Sequence, residues 1–300
     1  MKENGIILID KPKNITSQDV LNILKKRRAN KYGHSGTLDP LATGLMIVLV
    51  GNSTKLSDFF LKKDKTYIAD IALGKYTDTL DITGKILFEE DVNLDSLDEE
   101  NIKEVLKKFI GKIKQIPPIY SAIKYNGKKL YDIARKEKKS EEEIQDILNK
   151  KERAIEIYNI ELLNIDKKNK RICLKIDCSS GTYIRSLARD IGEALGTCAT
   201  IFNLRRTEIG NFKIEDAFKL DEINLENNIY LKTEDALKNI IDEKIYLEKN
   251  RIKHFVNGVR CTVNKDDGIY LIYEKESKKF IGLGEVKNNK VKRKYIESDR

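Results

Sequence analysis

The 300-residue sequence contains no tryptophan, two histidines and four cysteines. His34 and His254 are too few for a histidine-rich zinc or di-iron site, and the zinc-protease pattern H-E-x-x-H is absent. The absence of a C-x-x-C pair favours free, buried thiols in a reducing compartment over a zinc or redox site. The cysteines are Cys173, Cys178, Cys198 and Cys261. We therefore predict a protein without a bound metal.

Long apolar runs are also missing from the sequence. No stretch of 18 apolar residues could form a membrane-spanning helix, and the first residues, MKENGIILIDKPKN, lack the apolar segment of a secretory signal. The glycine-rich phosphate-binding patterns G-x-x-x-x-G-K-[ST] and G-x-G-x-x-G do not occur. The lack of a membrane span and of a secretory signal predicts a cytoplasmic protein that does not enter a membrane.

Charge is abundant and unbalanced. Lysine and arginine number 57 against 48 aspartates and glutamates, which gives a net charge of +9. A basic excess fits a polyanionic partner such as a nucleic acid. It also fits solubility in a proteome rich in lysine and glutamate. Composition alone leaves both interpretations open.

Strand-like and helix-like segments are mixed without regular βαβ spacing, which favours an α+β fold with a sheet core. Helical periodicity predicts helices at 98–109 and 181–195, a short one at 54–61, and one capped near Thr16. The pair Asn126-Gly127 predicts a hairpin turn, and the charged stretch 135–153 an exposed helical excursion. A shift in composition after about residue 237 predicts two domains, 1–240 and a small β-rich one at 241–300. The predicted strands are 5–10, 45–50, 67–73, 154–165, 171–178, 200–204, 206–212, 268–273 and 280–285.

The stretch 33–44, GHSGTLDPLATG, has the most unusual composition in the chain. It combines three glycines, His34, and Asp39 directly before Pro40. The proline restricts Asp39 to extended backbone, so its carboxylate is presented on a defined loop. Because Asp-Pro is also a common turn initiator, the spacing alone does not separate a functional loop from a structural one.

Residues 33–56, GHSGTLDPLATGLMIVLVGNSTKL, resemble the catalytic motif of the TruB family of tRNA pseudouridine synthases. The same family is resembled by DKP at 10–12, DKTYIADIALGKYTDTLDITG at 64–84 and QIPPIYSAIKYNGKKLYDIAR at 115–135. Two further motifs, CSSGTYIRSLARDIGEALG at 178–196 and LRRTEIGNF at 204–212, follow in the same order. The resemblance covers about residues 4–215. More weakly, the end of the chain is similar to the small PUA-like RNA-binding domain of some members.

This resemblance implies a fold and an activity. The fold is an α+β core with a mixed, largely antiparallel sheet, the pseudouridine synthase fold, followed by a PUA-like domain. The implied activity is isomerisation of uridine 55 in the T loop of tRNA, in which the uracil is detached, turned and rejoined through carbon. Such an enzyme is expected to need no cofactor or metal, to act as a monomer, and to require no protein partner.

The resemblance also implies residue roles. Asp39 matches the catalytic aspartate, a nucleophile whose point of attack, ribose or base, the sequence leaves open. Arg185 matches its ion-pair partner. Tyr67 matches the aromatic platform on which the flipped base stacks, since the base must leave its stack to be reached. Of the residues matching substrate-binding positions, His34 fills the space vacated in the T loop, whereas Tyr183 and Leu204 line the uridine pocket.

Several of these residues have structural alternatives. Arg185 lies in the first turn of a predicted helix, where the helix dipole disfavours a cation, and four residues before Arg189. This placement favours an anionic partner, although a solvated surface arginine fits as well. Tyr183 and Leu204 also fit as ordinary core residues.

Asp78 and Asp81, in TDTLDITG, fit either contacts to T-loop bases or an ordinary turn. Lys11 and Pro12 fit a structural role in supporting the loop of Asp39. Two other functions are compatible with the same motifs: a non-catalytic RNA-binding protein or tRNA chaperone, and a related synthase that acts on another RNA. The substitution Asp39→Asn separates the enzyme from the chaperone. In the enzyme it should abolish product formation and leave tRNA binding nearly intact.

Overall fold

The computed structural model describes residues 4–93, 98–121, 124–125, 128–129, 141–224 and 230–297. Its contacts divide the chain into two compact units. Unit 1 comprises Met1–Pro40, Gly44–Leu61 and Gly210–Arg300, and unit 2 comprises Leu41–Thr43 and Lys62–Ile209. Each unit therefore combines segments that are not continuous in sequence.

The secondary structure is mixed, as the sequence predicts. The α-helices are α1 (Ser17–Arg27), α2 (Ser57–Leu61), α3 (Glu99–Lys107), α4 (Glu141–Asn149), α5 (Ile184–Ala194), α6 (Thr233–Lys238) and α7 (Lys249–Val256). The strands are β1 (Gly5–Lys11), β2 (Tyr32–His34), β3 (Thr43–Val50), β4 (Lys65–Leu73), β5 (Lys75–Thr77), β6 (Ile86–Glu89), β7 (Gly111–Gln115), β8 (Lys124–Tyr125), β9 (Lys128–Lys129), β10 (Arg153–Asp166), β11 (Arg171–Cys178), β12 (Ala199–Ile209), β13 (Phe212–Lys213), β14 (Phe218–Lys219), β15 (Lys244–Leu247), β16 (Cys261–Thr262), β17 (Gly268–Glu274), β18 (Phe280–Lys287) and β19 (Lys290–Ile296). Short 3₁₀ helices cover Gly51–Leu56 and Ile214–Asp216.

Unit 1 contains a mixed sheet around β1. This strand pairs antiparallel with β3, from Gly5 opposite Val50 to Lys11 opposite Gly44, and parallel with β14. Helix α1 packs its apolar side, Val20, Leu21 and Leu24, against this sheet. A capping box starts the helix, because Thr16 and Asp19 each bind the other's backbone N–H. Burial of that helical face fixes α1, and with it the chain segment that precedes the helix.

The last part of unit 1 is a five-stranded sheet in the order β15, β17, β18, β19, β16. Its core includes Phe255 of α7 and Val286 of β18. The predicted strands 268–273 and 280–285 are present as β17 and β18. The basic cluster near the end of the sequence lies largely in a strand, β19, of which Val291 and Tyr295 are buried. This sheet is the β-rich C-terminal domain expected from the sequence.

Unit 2 contains an antiparallel sheet in the order β12, β4, β11, β10, β7. Strand β11 alternates strictly, with Ile172, Leu174, Ile176 and Cys178 buried. Helix α5 packs against β4 and β12. A Cβ atom on Gly192 of this helix would lie only 2.5 Å from the Cβ of Ala199, so a glycine permits the close approach of helix and strand. The buried face of the sheet and α5 form the core of this unit.

Two local predictions are refined. The helix expected at 181–195 begins later, at Ile184, and the two strands expected at 200–204 and 206–212 are largely one strand, β12, with register shifts after Ile201 and Arg206. Strands β8 and β9 pair antiparallel, and the turn predicted at Asn126 and Gly127 lies outside the described residues. In the described part of the chain, no helix has the length and hydropathy required to cross a membrane.

Candidate active site

Asp39 lies in a loop that unit 1 fixes from both sides. Before it, β2 pairs with β3, so that His34 stands opposite Val48, and the Ser35 N–H donates to Ile47 O at 3.2 Å. The backbone of Leu38 is held by Ser17, whose Oγ accepts from the Leu38 N–H at 2.8 Å and donates to Leu38 O at 3.2 Å. On the other side, Pro40 O accepts from the Asn14 N–H at 2.7 Å. The carboxylate of Asp39 is thus carried by a segment with both neighbours anchored.

Lys11 supports this loop through the neighbouring turn at residues 12–15. Its side chain is fully buried, and its ammonium donates to Pro12 O at 2.9 Å and to Ile15 O at 2.8 Å. These bonds shape the turn at residues 12–15, and Asn14 of that turn in turn holds Pro40. Lys11 therefore has the structural role that the sequence predicts for it.

In unit 2, Tyr67 and Leu204 lie on the same face of the sheet. Leu204 of β12 stands opposite Ala69 of β4, and Tyr67 lies two residues from Ala69, so all three project to the same side. Both predicted pocket residues are buried, with Tyr67 8% and Leu204 9% exposed. Arg206, which is 1% exposed, stands directly opposite Tyr67. This face therefore carries an aromatic side chain and a buried cation at directly opposite positions of two paired strands.

Arg185, the second residue of α5, is 6% exposed. Its Nη1 donates to Thr79 O at 2.6 Å and its Nη2 to Tyr120 O at 2.8 Å, while Asp81 Oδ2 lies 3.8 Å away. The alternative of a solvated surface arginine is therefore wrong. Hydrogen bonds to two carbonyl oxygens fix the plane of the guanidinium, so its remaining donors point in one direction.

The turn that contains Asp78 and Asp81 is tightly bonded. Asp81 Oδ1 accepts from the Thr83 N–H at 3.0 Å and from Thr79 Oγ1 at 3.1 Å, and the residue is 5% exposed. Asp78 Oδ1 accepts from the Lys85 N–H at 2.8 Å. Both carboxylates thus take part in the turn itself, which supports the structural interpretation, most clearly for the buried Asp81.

Tyr183 is fixed by two residues that sequence reasoning missed. The side-chain amide of Gln115 donates to Tyr183 O at 3.0 Å and accepts from the Tyr183 N–H at 2.8 Å. The guanidinium carbon of Arg153 lies 4.3 Å from the centre of the Tyr183 ring. Because Arg153 pairs with Gln115 across β10 and β7, one cross-strand pair holds both the backbone and the ring of Tyr183.

Lys65, the first residue of β4, is a third group that the sequence does not single out. Its ammonium donates to Lys63 O and is buried. Burial, and then the positive charge of Arg206, lower the pKa of Lys65 to about 8. A buried lysine of this kind loses its proton much more readily than one on the surface.

The predicted site residues thus fall into two groups. Asp39 and His34 belong to one segment of unit 1, in which His34 ends β2 and Asp39 lies in the loop that follows. In unit 2, Tyr67 and Leu204 share a sheet face on β4 and β12, the strands against which α5 packs. Tyr183 directly precedes that helix, and Arg185 is its second residue. The resemblance to the TruB motifs nominated these positions, whereas Gln115 and Arg153 required the pairing of β7 with β10.

Comparison with known families identifies the class of protein. Residues 22–184 match the profile of the TruB family pseudouridylate synthase N-terminal domain, and residues 185–244 match the tRNA pseudouridylate synthase B C-terminal domain. The fold is similar to that of a chain in an H/ACA ribonucleoprotein bound to a substrate RNA containing 2′-deoxyuridine. That comparison has a TM-score of 0.69 at 23% identity and covers 99% of this chain and 86% of the other. The chain is a pseudouridine synthase, an isomerase.

Full-length relatives narrow the family. A protein of Clostridium tetani named tRNA pseudouridine synthase B is 43% identical over 291 residues, which cover 94% of this chain and 95% of the relative. One of the same name from Fusobacterium nucleatum is 43% identical over 298 residues, 97% of this chain and 98% of the relative. The chain belongs to the TruB family.

Proposed function

We propose that this enzyme converts uridine 55 in the T loop of tRNA to pseudouridine, with Asp39 as the nucleophile. Identity of 43% to full-length relatives named tRNA pseudouridine synthase B supports the tRNA substrate. The observation that carries the catalytic assignment is the anchored loop, in which Leu38 and Pro40 are both held by hydrogen bonds around Asp39. A carboxylate so restrained is pre-organised for attack.

The reaction conserves all atoms of the nucleotide. The bond between ribose C1′ and uracil N1 breaks, the base turns, and a bond forms between C1′ and C5, while N1 gains a proton and C5 loses one. Asp39 starts this sequence by attack on C1′ or on base C6, or by removal of a ribose proton. No electron transfer is involved, so no redox cofactor is required.

The remaining site residues hold the extruded base. Tyr67 is assigned as the stacking platform, because an aromatic face compensates for the stacking that the base loses when it leaves the RNA helix. Tyr183 and Leu204 line the pocket, and His34 occupies the space left in the T loop. Arg185, whose orientation is fixed by Thr79 O and Tyr120 O, is assigned as the ion-pair partner of Asp39.

The assignment of domains follows the same function. Residues 1–240 are assigned to catalysis and residues 241–300 to additional RNA contacts, and the enzyme acts in the cytoplasm as a monomer without a protein partner. The basic excess then serves to attract the tRNA backbone, since phosphate contacts position a protein without reading sequence.

The test is conversion of a purified tRNA transcript and of an isolated T-arm stem-loop, with pseudouridine mapped by carbodiimide modification and primer extension. Wild type should convert both at position 55. Asp39→Asn should bind nearly as well and form no product, while Asp221→Asn, at an exposed carboxylate of unit 1, should remain active. Product formation by Asp39→Asn would refute the nucleophile. Conversion of another RNA but not of tRNA would refute the substrate.

A further inference from the structure

Arg153 is a half-buried cation to which the described residues offer no partner anion. Its Nε is buried and has no hydrogen-bond acceptor within that part of the chain. No carboxylate there lies within ion-pair distance of its guanidinium, and the adjacent Glu152 pairs with Lys114 at 3.0 Å instead. Burial lowers the pKa of Arg153, which shows that the fold disfavours its charge as it stands. A buried donor and charge left unsatisfied destabilise a protein unless a ligand satisfies them.

The surroundings hold Arg153 in one orientation. The ring of Tyr183 covers one face of the guanidinium, with 4.3 Å between the guanidinium carbon and the ring centre. On the loop before Tyr183, a Cβ atom at Gly181 would lie 3.6 Å from Arg153 Nη1, so the chain passes close to the charged group. A guanidinium stacked in this way can still donate hydrogen bonds in its own plane, which suits the oxygens of a phosphate.

We propose that Arg153 binds a backbone phosphate of the RNA beside the target uridine, while its stacking holds Tyr183 in place. This inference rests on the proposed function, in which Tyr183 lines the uridine pocket. A cation in contact with that ring then lies within one nucleotide of the extruded base. Phosphates are the anions that RNA presents there, and they receive the larger share of hydrogen bonds in nucleic-acid complexes.

Two substitutions separate the two roles of Arg153. Arg153→Met removes the charge and keeps an unbranched apolar chain against the ring, whereas Arg153→Lys keeps a charge and loses the planar donors. Arg171→Met is the matched control, because the Arg171 guanidinium also stacks on an aromatic ring in unit 2, 3.3 Å from the centre of Phe202. The control removes the same charge and the same kind of stack at another place.

Binding of T-arm RNA is measured over a series of KCl concentrations, together with the single-turnover rate at saturating RNA. Arg153→Met should raise Kd by about tenfold to a hundredfold. It should also lower the slope of log affinity against log salt by about 0.7–0.9, the amount for one phosphate contact. Arg153→Lys should retain most of the slope, and Arg171→Met all of it. An unchanged slope in Arg153→Met, with a slower single-turnover rate, would show that Arg153 only supports Tyr183 and would overturn the proposal.

A second measurement identifies the phosphate without depending on the stability of one variant. Neutral methylphosphonates are placed one at a time next to the target uridine. One of them should weaken binding by wild type and have no further effect on binding by Arg153→Met. Equal losses for wild type and variants at every position would contradict the contact. Wild type that binds but forms no pseudouridine would refute the proposed function and leave this binding test valid.

Discussion

At the scale of single residues, Lys65 stands out because the fold disfavours its charge. Its pKa falls from 10.5 to about 8, mainly through burial and then through Arg206. Between these pH values the unfolded chain binds more protons than the folded one, so this residue makes stability rise with pH. Below about pH 8 the full effect, about 3 kcal/mol, acts against folding.

Lys65→Met should therefore stabilise the protein at pH 7. The gain in the free energy of unfolding is up to about 3 kcal/mol, reduced by the contribution of the lost hydrogen bond to Lys63 O. The advantage over wild type should shrink as the pH rises from 8 to 10. Urea unfolding at both ends of this range measures it, with Lys62→Met, at an exposed lysine nearby, as the control. An advantage independent of pH would contradict a lowered pKa.

Single residues also show where prediction from sequence ends. The unfavourable position of Arg185 in the first turn of a helix indicated an anionic contact, and the structure shows a buried guanidinium with Asp81 at 3.8 Å. Arg153, by contrast, ends a run of lysines and glutamates and looks like part of an exposed face. The role of Arg153 depends on its pairing with Gln115, 38 positions earlier in the sequence. No local sequence pattern contains that pairing.

At the scale of elements, α1 connects the fold to the loop of Asp39. Ser17 begins this helix, and its buried hydroxyl holds the backbone of Leu38. Ser17→Ala leaves the Leu38 N–H without that acceptor, at a cost of about 1–3 kcal/mol. We expect lower stability together with a loss of turnover, because the carboxylate is less well oriented.

Thr16→Ala is the matched control for this prediction. It removes the side-chain cap of the same helix, at a cost of about 1 kcal/mol, and leaves the bond to Leu38 in place. Stability is measured by thermal unfolding and turnover by single-turnover conversion. Equal turnover in the two variants would show that the Ser17 bond has no role in positioning the loop of Asp39.

Elements with a clear local pattern were predicted closely. Strand β11 covers the predicted 171–178, because strict alternation fixes both its face and its length. The sequence pattern predicts the start of α5 three residues early, because the backbone of Tyr183 is held by the amide of Gln115 and not by a local cap. The register shifts in β12 depend on pairing with β4, so one strand was predicted as two.

At the scale of the whole molecule, the charge of +9 has a specific expected use. Lys290 and Lys292 of β19 are exposed and belong to the basic end of the C-terminal sheet. Replacing both by glutamine should weaken tRNA binding. It should also lower the salt dependence of affinity, by about 0.7–0.9 in slope for each lysine that binds a phosphate. Turnover of bound tRNA should not change.

Filter binding over a range of salt concentrations, with turnover at saturating tRNA, tests whether these lysines act in binding and not in catalysis. A fall in saturated turnover would place these lysines in catalysis, and an unchanged salt slope would remove them from the RNA interface. Net charge alone could not have named the partner, because solubility explains it equally well. The motifs around Asp39 indicate the reaction and the RNA substrate, which net charge does not.

The proposed function requires that this chain forms pseudouridine 55 in tRNA through Asp39. The most direct measurement is a map of pseudouridine in tRNA from cells that lack the gene, with wild type or Asp39→Asn restored. We predict uridine at position 55 in the deletion strain, pseudouridine with wild type, and uridine with Asp39→Asn. Pseudouridine at position 55 in the deletion strain, or its return with Asp39→Asn, would contradict the claim.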